Sequence, residues 1–499
     1  MQMKTRQLLL PLVWLATNTW AGQSAPLPDA LEVIRSRIQR DLVEQGIPSI
    51  AVAVAQRGDI LWEQGFGMAN VVSRTPATSD TRYSIASITK PMTATAIMVQ
   101  VRAGKIDLEA PIDDYLGAAK LNARIGHARD ATVRRVLNHT AGLPIHAHFF
   151  YSDEQRHPPA MDATIQRYAN LINPPGERFV YSNLGYGLLS YVISRTARRS
   201  YTDFMKQEVF QPLGMDSSSV GLEPGKERLA ATRYDLDGTA VPFYDFDHPG
   251  ASAVYASVHD VVRFGMFHLK SHLNSQQAIL SDAQIDAMHR PTAGASSYAL
   301  GFAIDDHNGY RVISHSGGMV GVATELLLIP EADLVIAALA NSATALPFDV
   351  TQSIAAALLP RWKATPRRVE ATPGQFVAPA PLAGQWAGKL STWRGDTRMT
   401  LDFQPDGDVA VTLGDQLTTL VNAAAFAEGR FTGTFLSYID TPDTARYDHV
   451  IDLDLTLRGD RLTGGAKAAA ARSGKRQPRV RNALTSWVEL TRRPDMPAH

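Results

Sequence analysis

Ser87 and Lys90 are the residues of this chain whose types and spacing point most directly to chemistry. A serine hydroxyl becomes a nucleophile when a base removes its proton, and residues three apart on a helix share one face, so Lys90 could serve Ser87. Pro91 suits the first turn of a helix, and Met92 and Val99 lie on one apolar face, so we expect a helix that begins at Ser87. The unpaired N–H groups of that turn could stabilise an oxyanion. The Ser-x-x-Lys spacing occurs once in the chain, although a solvated helix could also carry it.

Tyr181 and Asn183 form a second candidate pair. A tyrosine can act as a general base where a nearby cation stabilises its phenolate, and an asparagine could orient Lys90 and bind a substrate carbonyl. The same spacing occurs at Tyr168 and Asn170, but these fall in a helical stretch where they point to different faces. Tyr181 follows a Pro-Gly turn and lies in a loop before a helix, and loops carry catalytic groups more readily. We therefore predict Tyr181 as the functional residue, with a buried structural tyrosine as the alternative.

His315, followed by Gly317 and Gly318, forms the third candidate element. It ends a predicted strand, and the glycines after it would let the backbone approach a ligand closely. His248 and His307 also stand two residues before a glycine, but the first lies in a predicted loop and the second in a hairpin turn. A hairpin histidine with turn glycines is the structural alternative for His315.

The elements that would position these residues alternate between strands and helices. Apolar residues at helical spacing predict a first helix, and alternation with short turns predicts a hairpin near the N-terminus and three strands much later. These elements span residues 31–43 (helix), 50–55 and 60–66 (hairpin), and 310–314, 324–329 and 334–339 (strands). Helical patterns fill the middle. We predict an α+β fold in which the N- and C-terminal parts build one antiparallel sheet, flanked by helices and a helical subdomain.

The C-terminal third of the chain has a different character. Prolines concentrate between residues 360 and 381, which predicts a linker and few contacts between the parts that it joins. Residues 382–494 alternate between apolar and polar side chains around Gly turns, which predicts a small antiparallel β-barrel domain. Within it, the alanine-rich stretch 466–471 and the basic residues after it are interpreted as a surface loop. The predicted hydrolase domain spans residues 22–359.

In this order, the three elements resemble the penicillin-recognising serine hydrolases, specifically the branch around the class C β-lactamases. That branch also holds D-aminopeptidases, alkaline D-peptidases, D,D-carboxypeptidases and family VIII carboxylesterases. The segments Val136–Pro144 and Gln211–Met215 support the resemblance, which runs from about residue 31 to 359. The tail, opening with Leu382–Trp386, is similar to the lipocalin-like domain of some members.

The resemblance implies an acyl-enzyme mechanism in a β-lactamase/transpeptidase-like fold. Ser87 would be the nucleophile, and Lys90 and Tyr181 would handle protons. The backbone N–H groups of Ser87 and Gly318 would form the oxyanion hole. Asn183, His315 and Gly317 would line the substrate site.

His315 departs from the pattern of many members, which carry lysine there. A histidine is mostly neutral at pH 7, so selection of a substrate carboxylate is weakened. This favours aminopeptidase-like or esterase activity over β-lactamase or carboxypeptidase activity. As the pH falls through the titration of His315, acidic substrates should gain.

Composition and the N-terminus limit the partners and the location. The formal net charge is zero and the sequence has no run of basic residues, so nothing in it indicates a basic surface for nucleic acid. There is no cysteine, which excludes disulfides and thiolate chemistry. Residues 1–21 read as a signal peptide, so the mature chain should be periplasmic or secreted, without stable membrane insertion. The expected partner is a small molecule or short peptide, and a homo-oligomer is compatible with the sequence.

Other histidines carry less weight. His146, His148 and His157 could suggest a metal, but no carboxylate partner is evident, so we predict no metal site and no cofactor. His139 is interpreted as structural, bracing the loop before Gly142.

The sequence thus favours an exported serine hydrolase that cleaves small peptides or amides, with D-residues in the substrate. Alternatives on the same scaffold are a carboxylesterase, and a D,D-carboxypeptidase or weak β-lactamase. A catalytically inactive protein that binds peptidoglycan fragments is the alternative from a different class.

Overall fold

A computed structural model describes residues 29–223, 225, 227–273, 275–292, 297–364, 376–439, 449–470 and 482–494. The predicted signal peptide and half of the predicted linker, residues 365–375, lie outside these residues. Within the described part of the chain, no helix is both long and apolar enough to cross a membrane.

The first helix begins and ends within two residues of the predicted bounds, and the helix expected at Ser87 begins at Thr89. In chain order they are α1 Asp29–Gln45, α2 Thr89–Arg102, α3 Val133–Leu137, α4 Met161–Tyr168, α5 Asn183–Ala197, α6 Tyr201–Met205, α7 Pro249–Ser252, α8 Val258–His268, α9 Asp282–Met288 and α10 Leu346–Leu358.

The strands fall into one sheet from the two ends of the hydrolase part, three small sheets and one C-terminal sheet. In chain order they are β1 Ser49–Gln56, β2 Asp59–Asn70, β3 Thr75–Pro76, β4 Tyr83–Ser84, β5 Asn122–Ala123, β6 Phe149–Tyr151, β7 Asn170–Leu171, β8 Ser219–Val220, β9 Tyr244–Phe246, β10 Val254–Ala256, β11 Ala303–His307, β12 Tyr310–Met319, β13 Val322–Ile329, β14 Leu334–Ala340, β15 Gly384–Thr392, β16 Gly395–Phe403, β17 Val409–Leu413, β18 Thr419–Leu420, β19 Asn422–Ala427, β20 Arg430–Leu436, β21 His449–Arg458, β22 Arg461–Ala470 and β23 Ala483–Arg492.

The main sheet has the order β11-β12-β13-β14-β1-β2-β3, and β1 pairs antiparallel with both β14 and β2. The prediction that the two ends of the hydrolase part build one antiparallel sheet is therefore confirmed. Strand β1 is buried on both faces: its alanines pack into the core around α2 and α8, and Ile50, Val52 and Val54 pack into the core that includes α1 and α10. The sheet is thus a layer between helices.

Helix α2 lies inside the helical region, and its residues from Thr89 to Gln100 are buried on all sides. A helix without a solvent face belongs to the core of a large domain. Any polar side chain that this helix carries is consequently removed from water.

The C-terminal strands form a nearly closed antiparallel barrel in the order β18-β17-β16-β15-β23-β22-β21-β20-β19. The alternating residues of β16 and β17 point into its core, which confirms the predicted pattern. The stretch 466–470 was predicted to be a loop, and this is wrong: it completes β22, with Ala466 and Ala468 in the core. The likeness to a lipocalin stays a prediction.

The barrel contacts the hydrolase part closely, so the prediction of few contacts is wrong. Ala483 and Ala147 exchange backbone hydrogen bonds of 2.8 and 2.9 Å. Asn482 Oδ1 accepts from the Phe149 amide at 2.9 Å. The side chain of Leu484, 3% exposed, packs into the core of the hydrolase part. Apolar burial across a shared boundary favours such contact, whatever the composition of the segment that connects the two parts.

Candidate active site

Ser87 lies in a short 3-10 turn, Ala86–Ile88, that leads directly into α2. The turn is tied to β10, because the Ile85 amide donates to the Val254 carbonyl at 3.0 Å. Ala86 has φ 48°, a left-handed conformation that costs a residue with a Cβ roughly 1–2 kcal/mol. Ile85, Ala86 and Ile88 are fully buried, whereas Ser87 is partly exposed. The turn therefore presents the serine hydroxyl at the start of a helix, where an anion is stabilised.

Lys90 is fully buried, and its Nζ lies within hydrogen-bond distance of three oxygen atoms. These are Ser87 Oγ at 3.0 Å, Asn183 Oδ1 at 2.8 Å and the Ala251 carbonyl at 3.1 Å. None of the three is an ionised acceptor. Burial therefore holds the pKa of the Lys90 amine well below its ordinary value.

Tyr181 lies over Lys90, with 4.6 Å between Nζ and the centre of the ring. Burial raises the pKa of its phenol, and an interaction with the Ser87 side chain lowers it by less. The structure does not bring Tyr168 to this site, since its ring packs instead against His146 with 5.1 Å between ring centres.

Asn183 is the first residue of α5, whose N-cap Ser182 accepts from the Gly185 amide at 3.1 Å. Its side chain is used at both ends: Oδ1 accepts from Lys90, and Nδ2 donates to the His146 carbonyl at 2.7 Å. The amide thus contacts Lys90 directly, and its role in orienting Lys90 stays a prediction. It also links Lys90 to the segment around His146.

His139 lies in this site. The sequence predicted only that it braces the loop before Gly142, whereas the structure also places it against Tyr181. Its ring packs on Tyr181 with 4.4 Å between ring centres, and its Nδ1 accepts from the Ser182 amide at 3.1 Å. Burial keeps its pKa well below the ordinary value. Its Nε2 is buried without a hydrogen-bond partner among the described residues. His139 lies in the segment 136–144, which supported the family resemblance, but no rule of sequence spacing relates His139 to Tyr181.

His315 lies within β12, 6% exposed, with both ring nitrogens engaged. Nδ1 is 2.7 Å from the Ser316 carbonyl, which can only accept, so the proton sits on Nδ1. Nε2 then accepts from the Tyr298 hydroxyl at 2.9 Å. Burial and the nearby Lys90 lower the pKa of His315 to about 3. The expected gain for acidic substrates through its titration is therefore wrong, because this histidine stays neutral at ordinary pH.

Gly317 and Gly318 lie where β12 passes the nucleophile turn, beyond the end of its pairing with β11. A Cβ on Gly317 would come within 2.5 Å of the Ile85 carbonyl and 3.1 Å of the Ala86 Cβ, so only glycine allows this approach. A Cβ on Gly318 would meet nothing within 4 Å.

Asp247 joins a group of histidines behind the site, and it is the carboxylate that the sequence did not reveal. It is 3% exposed and accepts from His146 at 2.9 Å, from His148 at 3.2 Å and from His248 at 2.7 Å. The Thr164 hydroxyl adds a fourth donor at 3.3 Å. These hydrogen bonds hold the pKa of Asp247 well below its usual range despite burial.

The donor atoms of His146, His148 and Asp247 lie within 4.8 Å of one another, a spacing that could hold a metal ion. The proton positions do not fit one. Arg156 Nη2, which can only donate, is 3.0 Å from His148 Nε2, so the proton of His148 is on Nδ1, the atom that faces Asp247. A protonated nitrogen is not a ligand. The group is better described as a hydrogen-bonded hub, and the exposed His157 is not part of it.

The hub holds the two segments that supply partners to Lys90. His146 offers its carbonyl to Asn183, and His248 immediately precedes α7, whose Ala251 carbonyl accepts from Lys90. The arrangement can support nucleophilic attack by a serine hydroxyl whose proton passes to a neutral amine.

A family model described as Beta-lactamase matches residues 34–361. The chain is 27% identical over 336 residues to the unguisins hydrolase ungD' of Aspergillus campestris; the match covers 63% of this chain and 61% of that protein's length. It resembles the octameric penicillin-binding protein homologue from Pyrococcus abyssi (TM-score 0.57, 23% identity, 91% of this chain and 99% of that one). It also resembles SurE solved with D-Leu (TM-score 0.61, 21% identity, 93% and 99%). At these identities the two structures demonstrate a shared fold.

Proposed function

The chain belongs to the β-lactamase family, and on this premise we propose that it is a serine hydrolase that acts through an acyl-enzyme on Ser87. The observation that carries the proposal is the set of partners around Lys90. A neutral amine has two N–H groups and one lone pair. Two carbonyl oxygens, from Asn183 and Ala251, can take the N–H groups, and the Ser87 hydroxyl faces the lone pair.

In the proposed first step, Ser87 Oγ attacks the substrate carbonyl while its proton moves to Lys90 Nζ. The new oxyanion accepts from the backbone N–H groups of Ser87 and Gly318. Tyr181, whose raised pKa keeps it protonated, acts as a donor rather than as the phenolate base considered from sequence. The C–N or C–O bond breaks, and the leaving group takes the proton from Lys90 through Tyr181. Water then attacks the ester on Ser87 as the Lys90 amine removes its proton, the bond between the acyl carbon and Ser87 Oγ breaks, and Lys90 returns the proton to Ser87 Oγ.

We propose small peptides or amides that contain D-residues as the substrate class. His315 supports this, because a buried neutral imidazole offers no fixed charge to a carboxylate at that position. The likeness to the structure of SurE with D-Leu also supports it. A carboxylesterase on the same scaffold is the second candidate, since a neutral His315 suits an uncharged ester equally well.

Export and assembly are further proposals. The charged and apolar pattern of residues 1–21 supports export, and the octameric Pyrococcus abyssi homologue supports a homo-oligomer.

Labelling with a fluorophosphonate tests the nucleophile, with Ser87→Ala as the matched variant that loses one hydroxyl. We expect labelling of the native protein and none of the variant. Equal labelling of both would refute the assignment. Rates on D- and L-amino acid amides, compared with nitrophenyl esters, then separate the peptidase from the esterase.

A further inference from the structure

Arg233 is a second buried cation, and the proposed mechanism does not use it. It is 5% exposed and lies against aromatic rings. Its guanidinium carbon is 3.8 Å from the ring centre of Tyr244, 5.3 Å from that of Tyr255 and 5.7 Å from that of Phe243. Cation–π contacts of this kind offset part of the cost of removing the charge from water.

In the part of the chain that the structure describes, no carboxylate forms an ion pair with the guanidinium. Nη2 donates to the Tyr255 hydroxyl, while Nε and Nη1 have no hydrogen-bond partner among the residues that the structure describes. Asp245 acts on Arg233 electrostatically, but its own Oδ1 accepts from the Phe246 amide. A buried charge with unmet donors costs free energy, which a bound anion would recover.

A cavity of about 230 Å³ opens beside this side chain. Its lining residues are Leu222, Glu227, Thr232, Arg233, Phe243 and Tyr255, among others. Glu227 also lines the cavity, but its Oε1 accepts from the Gly225 amide and no ion pair joins it to Arg233 in the described part of the chain. The cavity can hold a carboxylate with a short stem, and Phe243, 37% exposed, is the ring at its edge.

The cavity lies close to the candidate active site. Tyr255, which lines the cavity, pairs with Ser84 on β4, and Ser87 follows three positions later, at most about 11 Å of extended chain. The Tyr244 hydroxyl donates to the Val320 carbonyl at 2.7 Å, two residues after Gly318. Residues at or beside the cavity are thus joined to the nucleophile turn and to the end of β12, so the cavity lies within reach of an extended substrate.

We infer that Arg233 and Tyr255 form a subsite for a carboxylate carried by the substrate. The inference rests on the proposed hydrolase function and narrows its substrate class to molecules with an acidic group on the side of the cleft beyond Gly318. The neutral His315 and the charged Arg233 then have complementary roles: the first accommodates an uncharged group, and the second binds the anion.

The test uses nitrophenyl monoesters of succinate, glutarate and adipate, each compared with its methyl-capped diester. The readout is the ratio of kcat/KM for the acid to that for the capped ester. We expect the native enzyme to prefer the acid about tenfold, mainly through a lower KM, at the chain length that matches the distance from Ser87 to the Arg233 guanidinium. Arg233→Met should bring the ratio close to one. Arg228→Met, an exposed arginine nearby, is the control and should keep the preference.

Two results would overturn the inference: no preference for an acid at any chain length, or an unchanged preference in Arg233→Met. Fluorophosphonate labelling of Ser87 in the same preparations shows whether the hydrolase itself is active, so failure of the subsite is distinguishable from failure of the proposed function. If Arg233→Met does not fold, Arg233→Lys keeps the charge but loses the planar donors. Calorimetric titration of glutarate into Ser87→Ala gives the matching binding measurement, and heat that persists in Ser87→Ala/Arg233→Lys at the same affinity would contradict the assignment.

Discussion

The burial of α2 explains the lowered pKa of the Lys90 amine. Because α2 is enclosed on every side, the amine has no access to water, and its partners are a hydroxyl and two carbonyl groups. An ammonium ion at this position would lack a counter-charge, so the neutral form is favoured. In the proposed mechanism, a residue that is ordinarily a cation thereby serves as the base.

The pH dependence of the reaction should follow Lys90 and not His315. The base form of Lys90 is present above its depressed pKa, so kcat/KM for an uncharged ester should fall as the pH falls through that pKa. His315, with a pKa of about 3, should not titrate between pH 5 and 9. Profiles over that range for the native enzyme and His315→Gln test this. An acid limb that moves in His315→Gln would contradict the assignment.

The choice between the two tyrosines can be tested with one matched pair. Tyr181→Phe removes the hydroxyl beside Ser87 and should lower kcat about a hundredfold or more, as expected for a proton-transfer group. Tyr168→Phe removes a hydroxyl near the Asp247 hub and should have a much smaller effect on kcat. Single-turnover acylation rates measure both. Near-normal acylation in Tyr181→Phe would remove this tyrosine from the mechanism.

At the scale of elements, the site depends on how closely β12 passes the turn before α2. The Thr324 hydroxyl on β13 donates to the Ile85 carbonyl at 3.0 Å, and Gly317 packs against Ala86. The left-handed Ala86 is thus held by the sheet on one side and by β10 on the other. Backbone strain of this kind persists where surrounding contacts determine the conformation.

Gly317→Ala should therefore separate β12 from the nucleophile turn. Its Cβ would stand 2.3 Å from the Thr324 hydroxyl, and relief requires a backbone shift that misaligns Ser87 with the strand. We expect a loss of about a hundredfold in kcat and a destabilisation of about 1–3 kcal/mol. Gly318→Ala is the control, because its Cβ enters open space and its N–H is kept. Rates and melting temperatures of the two variants should differ clearly; equal damage would indicate that the close approach is not the cause.

At the scale of the whole molecule, the barrel contacts two of the segments that carry the candidate site. Around His146, the Thr485 hydroxyl donates to the Ile145 carbonyl at 3.0 Å. Near Tyr181, Arg178 pairs with Asp454 at 3.1 Å, and Glu177 pairs with Arg458. The barrel thus stabilises the loop geometry on which Asn183 and Lys90 depend.

Weakening this contact should reduce activity as well as stability. Thr485→Val removes the hydrogen bond to Ile145 while it keeps the shape of the side chain, and should cost about 1 kcal/mol of stability. We also expect kcat to fall severalfold, because the Ile145 segment orients Asn183. Thr491→Val, on an exposed position of the same strand, is the control. Thermal unfolding and steady-state kinetics are the measurements, and a stability loss with kcat unchanged would limit the barrel to a structural role.

The sequence by itself determined the elements and the local pairs. Apolar spacing predicted α1 and five of the seven strands of the main sheet, all except β3 and β11. The i, i+3 geometry of a helix placed Lys90 beside Ser87, since such relations depend only on neighbours along the chain. The alanine-rich end of β22 was missed because its burial comes from the barrel around it.

The tertiary structure alone decided the relations between distant segments. Asp247 meets His146 and His148 across about one hundred residues, and no periodicity encodes that contact. The same holds for the docking of Leu484 and for the unpaired charge of Arg233. Protonation states were also beyond the sequence, because the pKa values of Lys90 and His315 follow from how completely the fold removes them from water.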